Sequence, residues 1–181
     1  PAPAGRHAAT ASVPRSGDQY TPDMETESMR IRKILLPTDG SKPARAAETM
    51  AVLLCNSMPE CEIEVVTVIH PREHLYSRSV PFAVQSTEED VKRAQALLSE
   101  VGERVRSQIT NPRASVYEQL LEHSSPATAI IEEAEITGES ALIVIGNRGL
   151  GGFAGLALGS VSSQVLHGAK GPVLVAKEGQ S

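Results

Sequence analysis

The chain has 181 residues, 40% of them hydrophobic, which is enough for one globular domain with a core and too little for two. A formal net charge of −5, no Trp, three Tyr and two Phe argue against a nucleic-acid partner, which would need a basic face or stacking aromatics. No apolar run approaches the ~20 residues of a membrane helix, and two cysteines, Cys55 and Cys61, make no disulfide framework, so the expectation is a cytoplasmic protein without membrane insertion.

Pro1–Ser28 is rich in Pro, Ala, Ser and Thr, lacks apolar periodicity, and has no apolar core of the kind a signal peptide carries. It reads as a disordered leader or linker before a folded domain over 29–181. "RIRKILLPT" (Arg30–Thr38) predicts a first strand, and "SKPARAAETMAVLLCNS" a helix with Ser41 as N-cap and Pro43 in the first turn. Glu62–His70 is a β-branched second strand, continuous enough to be buried on both faces. After a proline-punctuated connection, Ser86 and Glu89 have capping-box spacing, and Val91, Ala94, Leu98, Val101 and Val105 share one helical stripe. A weaker third strand covers Ala114–Glu122. Ser125 and Pro126 then open another helix, and Ser140–Gly146 is a nearly pure apolar fourth strand. A short helix from Ser160 to about His167 and a fifth strand in "GPVLVAKE" close the pattern. Five strands alternating with four helices predict an α/β fold: a single open, doubly wound parallel sheet with helices on both faces.

The stretch "LIVIGNRGLGGFAGLALGSVSSQVL" (Leu142–Leu166) concentrates glycine between the fourth strand and the last helix. Ligands of such sheets sit beyond the carboxyl ends of the strands where strand order reverses. If strand 1 neighbours strand 4, the loops Pro37–Ser41 and Gly146–Ser160 meet there. Gly146 would let a ribose or base approach, Gly149 could turn N–H groups toward a phosphate, and Gly159-Ser160 stands at a helix N-terminus, where orphan amides and the dipole attract anions. Arg148 is a secondary candidate as a phosphate clamp. Asp39, before Gly40, serves equally well as an Asx-turn residue.

The spacing Gly146, two residues, Gly149, nine residues, Gly159, Ser160 resembles the universal stress protein family, whose ATP-binding subgroup carries G-x2-G-x9-G-(S/T) after the fourth strand. "KILLPTDGS", "VTVIH" and "GSVSSQVLHGAKGPVLV" extend the resemblance over Arg30 to about Lys177. It implies strand order 3-2-1-4-5, a nucleotide at the strand 1/strand 4 crevice and frequent homodimers. By position, Pro37, Thr38 and Val68 would line the adenine and Asp39 would meet the ribose. Gly146 and Gly149 would border ribose and phosphates, and Gly159, Ser160 and Val161 would hold the phosphates. Two positions depart from the family pattern: Ala141 stands where an acidic residue is usual, and Ser125 where a glycine is.

Competing signatures lack their context. "GLGGFA" (Gly149–Ala154) satisfies a dinucleotide fingerprint but follows the fourth strand rather than the first, and finds mostly "AKGPVLVAK" downstream where an acidic residue about twenty positions on belongs. No P-loop or G-x-S-x-G elbow exists, and His70 and His74 are separated by a helix-breaking Pro71 with no third ligand for zinc. The reading is an adenine-nucleotide-binding stress or regulatory protein: ATP with Mg or Mn, no enzyme beyond weak hydrolysis, and a homodimer through the C-terminal strand. The alternative is a non-catalytic interaction domain of a larger protein with AMP, a cyclic adenine nucleotide or nothing bound.

Overall fold

In the computed structural model, which describes residues 31–71, 87–137, 141–150 and 158–177, strands and helices alternate along the chain. They are β1 (Lys33–Pro37), α1 (Lys42–Ser57), β2 (Cys61–Ile69), α2 (Glu88–Gln108), β3 (Ala114–Glu122), α3 (Pro126–Thr137), β4 (Ala141–Gly146), α4 (Ser160–Gly168) and β5 (Val173–Ala176). Every strand pair is parallel, in the order β3-β2-β1-β4-β5. The leader Pro1–Ser28, His74, Ser86, Ser140 and the part of "GLGGFA" beyond Leu150 lie outside the described residues.

Strand position explains strand composition. β4 is buried at every residue and β1 at all but its first, because helices cover both faces of the middle of the sheet. Side chains alternate between two cores. Ile34, Leu36, Ile63, Val65 and Val144 pack on one face under Ala47, Ala51 and Cys55 of α1 and Leu98, Val101 and Val105 of α2. Leu35, Val66, Ile143 and Ile145 pack on the other face under Ala127 and Ile130 of α3 and Val165 of α4. β3 is an edge strand with no buried residue, which accounts for its weak sequence signal. Both cysteines are buried thiols; burial first, then contact with Cys55, pushes the Cys61 thiol up.

Helix starts follow side-chain chemistry. Ser41 Oγ accepts from Ala44 N (3.3 Å), and Ser125 Oγ from Thr128 N (3.3 Å). α2 starts one residue later than the Ser86–Glu89 spacing suggests: Thr87 is the N-cap, its Oγ1 accepting from Asp90 N (3.2 Å) while donating to the Asp90 carboxylate (2.6 Å). Adjacent hydroxyls leave the register of a capping box ambiguous in sequence, and only the hydroxyl that reaches the third helical amide caps. β1 hands the chain to α1 on one face, while its neighbour β4 hands it to α4 on the other. The crevice between those two departures is the point where strand order reverses.

Candidate functional site

The wall after β1 is a turn closed by its own side chains. Gly40 takes φ +76, a conformation that favours glycine, and its N–H donates to Thr38 Oγ1 (3.2 Å). Asp39 Oδ1 accepts from Ser41 N (3.0 Å), so the Asx-turn reading of Asp39 holds. Its other oxygen, Oδ2, crosses the crevice and accepts from Leu150 N (2.7 Å). The same carboxylate lies over Gly149, where a Cβ would collide with Oδ2.

The wall after β4 is tied at both ends. Asn147 N donates to Ala176 O (2.7 Å), while Asn147 O accepts from Gly159 N (2.7 Å) and Ser162 Oγ (2.9 Å). Gly146 has a packing reason to be glycine: a Cβ there would sit 2.6 Å from Pro43 O, so the start of α1 could not approach the end of β4. Gly159 is the N-cap of α4, in extended conformation, with no side chain to satisfy the amides that follow it. Arg148 Nε is buried and has no hydrogen-bond partner among the described residues.

Between these walls lies a cavity of about 420 Å³, within the usual range of about 300–1,000 Å³ for small-molecule sites. It is lined by Pro37, Thr38, Asp39, Val68, Gly146, Arg148, Gly149, Gly159, Ser160 and Val161, so the structure brings every sequence-predicted site residue to one place. Sequence reasoning missed Thr67, Pro126, Ile130, Ile145 and Ser162, which also line it. Pro126 and Ile130 belong to the ordinary apolar stripe of α3, and no motif marks them. Asp39 and Arg148 are the charged groups of the lining, and Val66, Val68, Ile130 and Ile145 form an apolar floor.

The β1/β2 ladder ends at this floor. Its register stops at Pro37↔Val66, with Thr38 N donating to Val66 O (2.8 Å). In a parallel ladder the N–H and C=O of one residue face the same neighbour, and alternate residues face alternate neighbours. Ile69 O accepts from His123 N on the β3 side, so Val68 faces the side that β1 has vacated, and among the described residues no β1 main-chain group meets it.

One turn below Ile130, the buried carboxyl of Glu133 accepts from Gln119 Nε2 (3.0 Å). Burial, and secondly the charge of Glu64, push it up, against smaller opposing effects of Lys33 and Gln119. Lys33 ion-pairs with Glu64 (2.8 Å) and Glu62 (3.0 Å); burial alone would lower its pKa, but these partners together raise it.

A model of the Universal stress protein family matches residues 30–177. The chain belongs to the universal stress protein family. A universal stress protein of Mycolicibacterium smegmatis is 31% identical over 145 residues, covering 80% of this chain but 45% of its own length, so the chain spans about half of that relative. Among solved structures, the universal stress protein UspA from Lactobacillus plantarum superimposes with a TM-score of 0.62 at 21% identity, over 81% of this chain and 98% of that one. A universal stress protein in complex with cAMP superimposes with a TM-score of 0.56 at 27% identity, over 80% of this chain and 96% of the other. The fold of this universal stress protein domain is therefore the expected one, a five-stranded parallel sheet in the order 3-2-1-4-5.

Proposed function

We propose that this universal stress protein binds an adenine nucleotide, ATP in the first place, and acts as a regulator rather than an enzyme. The observation that carries the reading is the open start of α4. Gly159 offers no side-chain cap, and Ser160, Val161 and Ser162, whose amides open the helix, line the cleft, so helix dipole and first amides would together suit an anion there. The unpartnered Arg148 Nε–H beside them supplies a charged donor for phosphate oxygens. The base would lie on Val66, Val68, Ile130 and Ile145, with Pro37 and Thr38 at its edge, and a ribose hydroxyl would reach Asp39 Oδ2. A relative solved with cAMP supports the adenine class. A triphosphate carries more charge than one helix end and one arginine offset, so Mg or Mn would travel with it, bound chiefly by phosphate oxygens.

Turnover should be slow, below about 1 s⁻¹, because Asp39 is the one carboxylate among the described lining residues and both of its oxygens are already engaged. β5 is an edge strand whose Val173, Leu174 and Val175 are half-buried, which supports homodimerisation by strand pairing. Sedimentation should then give a dimer for the wild type and a monomer for Leu174→Pro. The 45% share of the mycobacterial relative favours a second reading, in which the same domain serves as the regulatory part of a longer protein.

The deciding experiment denatures the purified protein, identifies the released nucleotide by chromatography, and measures thermal melts with ATP and GTP. ATP or another adenine nucleotide should copurify or raise the melting temperature, and GTP should do neither. If no adenine nucleotide is found and none shifts the melt, the site is not a nucleotide site.

A further inference from the structure

We propose that Thr67 is a positioning residue that holds the β1/β2 ladder open by one rung, so that Val68 presents its N–H and C=O to the edge of a nucleobase. The proposal rests on the adenine-nucleotide reading for the identity of the ligand, and on the ladder itself for the device.

A parallel ladder that has just placed Thr38 N–H on Val66 O continues by placing Val68 N–H on Thr38 O. Here that rung is missing: the paired register ends at Pro37↔Val66, and Thr38 O instead accepts from Thr67 Oγ1 at 2.8 Å. Thr38 and Thr67 are both buried, so an unsatisfied carbonyl at this place would be costly, and the hydroxyl removes the need for Val68 to satisfy it. The rung after that, from Gly40 N–H to Val68 O, is missing too, because Gly40 N donates to Thr38 Oγ1 (3.2 Å) in a left-handed turn. Two threonine hydroxyls thus take the bonds that would otherwise close the strand over Val68. A donor and an acceptor on one residue, facing an apolar cavity, match the neighbouring acceptor and donor on the Watson–Crick edge of adenine, its ring N1 and exocyclic amine.

Thr67→Val keeps the shape and removes the hydroxyl. Thr38 O should then recruit Val68 N–H, extending the ladder and consuming the donor. Thr67→Ser restores the hydroxyl and serves as the rescue. Two readouts are needed: hydrogen exchange at the Val68 amide without ligand, followed by NMR, and the dissociation constant for ATP by calorimetry. In the wild type the Val68 amide should exchange much faster than that of Val66, and in Thr67→Val it should slow toward the Val66 rate. ATP should bind about tenfold more weakly to Thr67→Val and within about threefold of wild type to Thr67→Ser, the effect of one hydrogen bond. A Val68 amide already as protected as Val66 in the wild type overturns the proposal, as does a Thr67→Val protein that binds ATP normally. A wild type that binds no adenine nucleotide while showing the expected exchange pattern sinks the nucleotide reading and leaves the opened ladder standing.

Discussion

Two helices begin at the same crevice, and they begin in opposite ways. α1 is sealed: Ser41 Oγ takes Ala44 N, Pro43 has no N–H to satisfy, and Asp39 Oδ1 takes the N–H of Ser41 itself. α4 is open: its N-cap is Gly159, which has no side chain to meet the amides that follow, and no described residue supplies one. The folding physics of the two termini is identical, since every helix leaves its first amides without internal partners. What differs is who satisfies them. At α1 the chain does so, which stabilises the fold; at α4 the task is left to solvent or a ligand. Hydroxyls cap α1, α2 and α3, whereas the helix end beside the buried Arg148 Nε carries a glycine, which costs only about a few tenths of a kcal/mol relative to a hydroxyl cap.

Closing the open end of α4 should abolish any phosphate binding there. Gly159→Asp places a capping carboxylate on the α4 amides, consuming them and repelling phosphate; φ −77 suits any residue, and its Cβ would come 3.2 Å from Arg148 Cα, a contact that asks for a small shift. For the wild type at a hundred times the dissociation constant, ATP should stabilise by about 2.7 kcal/mol, a rise in melting temperature of about 5–10 °C. In Gly159→Asp that rise should vanish while the ligand-free melt stays within a few degrees. A persistent shift would mean that phosphates do not sit on α4.

Removing the group that bridges the two regions should have the next largest effect. Asp39→Ala strips the acceptor from both Ser41 N and Leu150 N. We expect ATP affinity to fall about tenfold by calorimetry and the ligand-free melt to drop by several degrees, each lost bond being worth about 1 kcal/mol. If only the melt drops, Asp39 serves the turn and not the ligand.

Opening the sealed end is the converse test. Ser41→Ala should cost about 1 kcal/mol, read as a melt lower by about 2–4 °C, with the ATP-induced rise unchanged. Loss of the ATP response in this variant would erase the distinction between the two termini.

The smallest effect concerns the buried acid beneath the floor. Glu133 is pushed up by burial and by Glu64, so its protonated form is the one the fold favours. The stability linked to that proton is fully present below the unfolded-state pKa of about 4.3 and is lost as pH rises through the folded-state value. Glu133→Gln should therefore be more stable than wild type at neutral pH, and the difference should shrink as pH falls toward 4 in melts across that range. A variant less stable at every pH would show that the carboxylate, rather than the neutral acid, holds α3 to the sheet.

Much of this was legible in residues 31–177. Ser41 and Ser125 announce their helices because capping is a contact over three residues, and β4 announces itself because a strand covered on both faces must be apolar throughout. β3 was harder to read because an edge strand makes weaker demands on its side chains. Within the site, the predicted residues meet at one cavity because they stand at the ends of β1, β2 and β4 and the start of α4, places that the β/α alternation already implies. Thr67, Ile130 and Ser162 carried no such marker.

Sequence by itself determined the elements, their order and the glycine spacing, since periodicity, capping and turn chemistry act between residues a few positions apart. Only the tertiary structure decided what each residue near the crevice touches. Gly146 must be glycine because Pro43 O lies against it, Asp39 reaches an amide 111 positions away, and Glu133 on α3 is pushed up by its burial against the sheet and then by the charge of Glu64 on β2. Val68 has no β1 rung because the ladder stops at Pro37↔Val66 and Thr38 O meets the Thr67 hydroxyl instead. Such contacts depend on which strands are neighbours and on where each one stops, and those are properties of the sheet as a whole rather than of any segment within it.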